Sequence, residues 1–344
     1  MTTSGPPSTR WREKVAPHEA QRYAGYARQF AQLQRRKSAQ YGGAGRALHR
    51  KQLTAAHGTL EVLDGLREFS RHGLFAEPGV YEVWVRLSNG GADRAPDSMP
   101  DVRGFSFKVF GVQGESALGN GPALSQDFTL INQEKFAFAG SAEFVDFVLA
   151  ASNGKAALLK YLLGRYGLLG GPRRLMRLFK TVGRPFSGFA TEPLFSAVPM
   201  TCGPHAVRVR LEPDPANANW NGALNAGSRG MAIAIPKNDW NADFSARLRQ
   251  KALHWELQLQ PFVSEELTPI EDASVNWPTP YVTVARLMLP PQDTASAEGL
   301  DLAGKVEAGV FDPWQALAEH RPLGDVQRAR KVVYFESQKG RGAA

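Results

Sequence analysis

Apolar and polar residues alternate in eight stretches of the chain. Four come early, at Thr59 to Leu63, Val80 to Leu87, Phe105 to Val109 and Phe128 to Asn132. Four come late, at Ala206 to Leu211, Gly230 to Pro236, Ala252 to Gln260 and Tyr281 to Leu289. Period two marks a strand with one buried face. It is unbroken in 252–260, where Leu253, Trp255, Leu257 and Leu259 share a side opposite His254, Glu256, Gln258 and Gln260. After the second stretch, Ser88-Asn89-Gly90-Gly91 has hairpin-turn chemistry. Four strands, a helical insert and four more strands predict an eight-stranded antiparallel barrel. Such a barrel closes its own edges, and its interior is either packed or holds one ligand at the mouth.

Helical spacing appears elsewhere. Glu19 to Arg36 puts Tyr23, Tyr26, Phe30 and Leu33 on one side, within a polar, basic N-terminal arm of residues 1–40. Terminal arms are often loose unless they dock on their domain or on a neighbour. Beyond Pro290 and Pro291 the spacing predicts helices over Pro313 to His320 and over Asp325 to about Gln338, the latter with Asp325 as N-cap. The expected architecture is α+β: the arm, then one domain over 41–344 with a helical insert near 141–190.

Composition narrows the class. With 43% apolar and 10% aromatic residues among 344, a large core is affordable and a disordered chain is excluded. The formal charge of +8 equals the eight cations between Lys155 and Arg184, a segment without Asp or Glu and rich in leucine. The first reading of that segment is a helical excursion packed by its leucines, with solvated cations. The second is contact with an anionic membrane or lipid. No nucleic-acid motif accompanies the charge, so no nucleic-acid partner is expected. One cysteine, Cys202, suits a reducing compartment. No stretch approaches the roughly 20 apolar residues of a spanning helix, and Met1 to Arg10 lacks the apolar core of a signal peptide. A soluble, cytoplasmic protein is the expectation.

Motifs gather at the two ends of the chain. Early come Arg46-Ala47-Leu48-His49, Thr59-Leu60-Glu61-Val62, Val85-Arg86-Leu87-Ser88, Asp101-Val102-Arg103-Gly104-Phe105, and Asn132 ahead of a Phe-rich stretch that begins at Phe136. Late come Phe311-Asp312-Pro313, Arg330, Tyr334 and Arg341. In this order and spacing the sequence resembles the haem-containing catalases, in particular short bacterial catalase-like proteins that keep only the haem-binding core. The resemblance spans about residues 40 to 341.

The resemblance implies haem b, ferric iron protoporphyrin IX, with Tyr334 as the iron ligand. Arg330 lies four residues before it, so both project from one helix face, and its guanidinium favours the ionised phenol. Read without the family, Tyr334 is a buried aromatic anchoring the last helix. By resemblance Arg46, Arg86 and Arg341 pair the propionates, a role suited to planar guanidinium groups, and Phe136 packs on the porphyrin. His49 becomes the base that moves a proton between peroxide oxygens. Ser88 orients its imidazole, and Asn132 offers its amide to bound peroxide. Asn132 also reads as a residue ending a strand. His57 is the rival base, placed where the family does not put one.

Several positions depart from the family pattern. Gly90 replaces a hydrophobic residue that narrows the channel, which implies a wider pocket. Arg50-Lys51-Gln52 follow His49, and Gln133-Glu134 follow Asn132, in place of the usual residues. The ten residues that follow Tyr334 do not include the long helical region that larger catalases carry there. The function expected first is a haem peroxidase of catalase type, acting on a small-molecule peroxide with an organic reductant. The alternatives are a fatty-acid hydroperoxide lyase or isomerase of allene oxide synthase type, favoured by Gly90 and the basic insert, and a non-catalytic haem carrier. By analogy the protein is a homo-oligomer, with the arm as an exchange element.

Overall fold

The computed structural model describes residues 5–219 and 237–343. Strands β1 (Gln52–Val62), β2 (Gly79–Asn89), β3 (Arg103–Val109) and β4 (Gln126–Ile131) lie side by side in chain order. The short β5 (Leu194–Phe195) bonds to β4 on one side and to β7 (His205–Pro213) on the other, and β8 (Leu253–Pro261) and β9 (Val282–Leu289) lead back to β1. These form a closed, antiparallel, eight-stranded barrel in an α+β chain, with β6 (Met200–Cys202) added on β7. The stretch Gly230 to Pro236 lies outside the described residues. Within them, the two residues of β5 complete the ring.

One face of each strand fills the barrel. Val83, Val85, Leu87, Phe105, Phe107, Leu257, Leu259 and Leu287 are fully buried in a single core, where Phe107 stacks on Phe128 at 4.7 Å. Of the two expectations for the interior, the packed one holds. The alternate residues of β2, β3 and β4 face out, and the helices cover them.

Among the described residues six helices accompany the barrel: α1 (Glu19–Tyr41), α2 (Ser141–Ser152), α3 (Lys155–Val182), α4 (Trp240–Gln250), α5 (Ala297–Ala308) and α6 (Asp325–Lys339). Tyr23, Tyr26, Phe30 and Leu33 of α1 pack with Ala329 and Val333 of α6 and Val145 of α2. Ahead of α1, Trp11 donates to Pro204 O at 2.9 Å, and Glu13 pairs with Arg321 and Arg328. The arm therefore docks on its own chain.

Two helical expectations need correction. Asp325 is the first residue of α6 rather than its cap, and Gly324 holds the cap position. Its carboxylate accepts from Tyr23 Oη at 2.6 Å and from the Ser141 amide at 2.5 Å, so it ties α1, α2 and α6 together. The segment Pro313 to His320 forms one short 3-10 turn, Ala318–His320, instead of a helix. Its backbone groups are taken by β4 and its neighbourhood: Asp312 N donates to Asp127, Leu317 N to Gln126, and Gln315 O accepts from Asp127 N. Helices α4 and α5 went unpredicted, although Asp239 and Ser296 are ordinary N-caps whose side chains accept from Ala242 N and Gly299 N.

His320 is fully buried, with Nε2 accepting from Leu74 N at 3.0 Å and Nδ1 facing Thr201 O at 3.3 Å. Burial pushes its pKa down to about 4. An unfolded histidine titrates near 6.5, at roughly two units higher, so the unfolded chain takes up this proton first as the pH falls. The site's stabilisation is complete above that value and is lost progressively down to the folded pKa. His320→Leu, which orphans the Leu74 N–H, is expected to cost about 1–3 kcal/mol at neutral pH. In urea titrations the deficit should shrink at pH 5; an equal deficit at both pH values contradicts the buried neutral imidazole.

Candidate active site

Outward-facing residues of three strands make a flat wall. Across β2, β3 and β4, Arg86 stands opposite Ser106 and Ser106 opposite Thr129, while Ser88 stands opposite Gly104 and Gly104 opposite Ile131. Small side chains keep the middle of this wall low. At Gly104 the reason is direct: a Cβ there would lie 2.6 Å from His49 Nδ1 and 2.7 Å from Ser88 Oγ.

His49 lies against this wall from the loop before β1. Its backbone is left-handed, with φ 50, a sparsely occupied conformation for a residue with a side chain. Its amide donates to Gly90 O at 2.9 Å, and its carbonyl accepts from Arg86 at 2.9 Å. The imidazole Nδ1 is 3.0 Å from Ser88 Oγ, and Nε2 has no partner. Burial, with Arg86, Arg330 and Arg46 nearby, pushes its pKa down to about 3. The ring is therefore neutral across the physiological range. Arg50, almost fully buried, braces the same loop by donating to Gly43 O and Arg46 O at 2.9 and 3.1 Å. The family departure at position 50 is thus a loop brace.

Helix α6 supplies the facing wall. Val326, Arg330, Tyr334, Ser337 and Arg341 line the cavity at helical spacing, with Arg341 in the turn just after the helix ends. Arg330 donates to Tyr334 Oη at 2.7 Å and to Thr129 Oγ1 at 2.9 Å. A buried bond from Gln338 to Asp312 at 2.6 Å fixes the helix; burial pushes the Asp312 carboxyl up to about 6.

Three further guanidinium groups meet at the C-terminal end of α5. Arg46 reaches Glu307 Oε2 and Gly309 O, both at 2.9 Å. Arg86 reaches the same carboxylate oxygen at 2.9 Å, and Arg341 donates to Ala308 O at 2.9 Å and Gly309 O at 2.7 Å. Burial and the neighbouring Arg86 hold the Arg46 pKa well below its ordinary value. Sequence reasoning gave no signal for Glu307, because its role is fixed by distant arginines.

The cavity has a volume of about 210 Å³ and opens to solvent. Of the expected site residues, Arg46, His49, Arg86, Phe136, Arg330, Tyr334 and Arg341 line it together. Ser88 stands behind His49. Asn132 is off the cavity wall: its Oδ1 accepts from Arg103 N at 2.8 Å, at the end of β4, and its Nδ2 is unbonded. His57 is exposed on β1, away from the cavity. Gly90 also needs correction: a Cβ would meet Val102 Cβ at 2.9 Å, so the glycine serves close packing and does not widen a channel. Cys202 is buried, its thiol pushed up to about 12 by burial, and is inert. Ser106 and Thr129, which the sequence reading did not name, belong to the wall; the alternation of their strands was their signal.

No family model matches the sequence, and no curated protein matches it. Among solved structures, a bacterial catalase aligns with a TM-score of 0.59 at 15% identity, covering 86% of this chain and 57% of that one. A fungal catalase aligns with a TM-score of 0.62 at 16% identity, covering 86% and 58%. The chain has the catalase fold. It spans less than two thirds of the length of either catalase. On the catalase fold described here, the motifs from both ends of the sequence converge on one cavity beside the barrel.

Gly104→Ala should displace His49 or Ser88 and cost about 1–3 kcal/mol by overpacking. Urea unfolding measures the cost; an unchanged midpoint would show that the close approach at this position is not a constraint.

Proposed function

We propose that the protein is a haem-dependent oxidoreductase that cleaves peroxides. One observation carries the reading: the Arg330–Tyr334 pair and the His49–Ser88 pair bound a single cavity whose lining has four arginines and no carboxylate. That donor set fits the cofactor. A phenol oxygen beside a guanidinium suits ferric iron, the arginine cluster suits two propionates, and the low wall at Gly104 and Ser106 suits a flat ring with Phe136 beside it. Tyr334 would hold the iron, and Arg46, Arg86 and Arg341 the carboxylates.

Bound haem supplies a redox-active ferric centre at which a peroxide O–O bond breaks. The chain's own residues handle the proton. With Nδ1–H directed at Ser88 Oγ, His49 presents a lone pair at Nε2. That atom takes the peroxide proton and returns it to the departing oxygen, which leaves as water or an alcohol. Asn132, off the cavity wall with its Oδ1 held by Arg103 N, has no part in this step. The two electrons come from a second peroxide or an organic reductant.

The isomerase alternative loses its two supports. Gly90 is packed on Val102, and no residue of 155–184 lines the cavity.

Three assays test the reading: hydrogen peroxide, alkyl peroxides with a phenolic reductant, and a fatty-acid hydroperoxide, each with hemin-loaded protein. Loaded protein should show a Soret band that Tyr334→Phe shifts or abolishes; a colourless wild type refutes the proposal. His49→Ala should keep the cofactor and lose peroxide cleavage by about 100-fold or more. Because the base form of His49 persists down to about pH 3, the cleavage rate should be flat between pH 5 and 8. An inflection near pH 6.5, at roughly the value of a free imidazole, would show that His49 titrates as if exposed.

A further inference from the structure

Helix α3 breaks at Gly167, where φ is 71 and ψ 179, and turns two faces in opposite senses. Leu162 and Leu178 are buried on its inner side. Arg174 also turns inward, donating at 2.9 Å to both Glu143 Oε1 and Ala137 O. The outer side is unusual for a helix packed on a domain. Leu168 is 79% exposed, Leu169 75%, Met176 71%, Phe179 64% and Leu159 53%. Lys155, Lys160, Arg173, Arg177 and Lys180 are exposed among them and make no ion pair among the described residues.

Scattered exposed apolar residues need no explanation, but several on one helix interleaved with unpaired cations do. A second copy of the chain would set like charges against each other. Nucleic acid would satisfy the cations and leave Leu168, Leu169, Met176 and Phe179 against phosphate. An anionic bilayer satisfies both sets, with phosphates at the headgroup level and the acyl boundary just beneath. Among the described residues no helix is long and apolar enough to cross a membrane, so the contact is superficial.

We propose that α3 is a peripheral docking helix for an anionic phospholipid surface, with the Gly167 break and Leu168–Leu169 entering the interface. The proposal stands whatever the cavity binds. It places that surface next to the cavity all the same, because α2, packed on α3, carries Phe144 and Val145 into the cavity wall.

The test is co-sedimentation of the full chain with phosphatidylcholine vesicles, with and without phosphatidylglycerol. Phosphatidylglycerol should tighten binding by about tenfold or more. Leu168→Asp with Leu169→Asp should weaken it by a similar factor, and Arg173→Glu, Arg177→Glu and Lys180→Glu together should remove the lipid preference. All five side chains are exposed, and unchanged circular dichroism confirms the fold. Equal binding to both vesicles overturns the proposal. So does anionic binding that survives the leucine substitutions, release from vesicles by duplex DNA, or self-association through α3 that vesicles fail to compete away.

Discussion

Four guanidinium groups around one cavity are held in place by very little opposing charge. Arg46 and Arg86 share the carboxylate of Glu307, and Arg46 and Arg341 take the last carbonyl groups of α5, which carry the negative end of the helix dipole. Arg330 has no carboxylate at all and relies on Tyr334, Thr129 and Gln327. The cluster fixes the geometry of the whole site, because its members come from the loop before β1, from β2, from α6 and from the turn beyond it. It also leaves the cavity short of negative charge. A dianionic ligand restores the balance, and a neutral one does not.

Much of this was legible in the sequence, for identifiable reasons. Alternation exposes a strand whenever one face is buried and the other is polar, so β2, β3, β4 and β8 were readable together with their outward-facing residues. Helical spacing likewise put Arg330 and Tyr334 on one face of α6. What stayed hidden depends on partners far away in the chain. Segment 313–320 has acceptable helical residues, but Gln126 Oε1 takes the Leu317 N–H and Asp127 takes the Asp312 N–H just ahead of it. The meaning of Gly90 lay in the proximity of Val102, which only the β2–β3 hairpin creates. Glu307 looks like any acidic residue near a helix end until three arginines arrive from elsewhere.

The surplus of positive charge and the positive charge of the cavity are different populations. The cavity arginines are buried or half-buried and bonded, and burial holds Arg46, Arg86 and Arg341 below their usual pKa. The cations of α3 are mostly solvated and unpaired, and of that segment only Arg174 is drawn into a buried contact with Glu143. Net charge alone pointed to α3, whereas the arginines that line the cavity do not stand out by local density. Electrostatic environment separates these groups; residue type does not.

The histidines divide by the same logic. His320 is fully buried and His49 half-buried, and burial depresses the pKa of each. A depressed pKa therefore does not distinguish a functional imidazole from a structural one. Bonding does. His320 uses both ring nitrogens, one on Leu74 N and the other on Thr201 O, so it has no site left for a reacting proton. His49 uses one, on Ser88 Oγ, and keeps the other free on a cavity wall, with a left-handed backbone holding the ring there. A neutral base, one fixed nitrogen and one open nitrogen are what proton transfer between two oxygens of a small substrate requires, and among the described histidines His49 meets all three conditions.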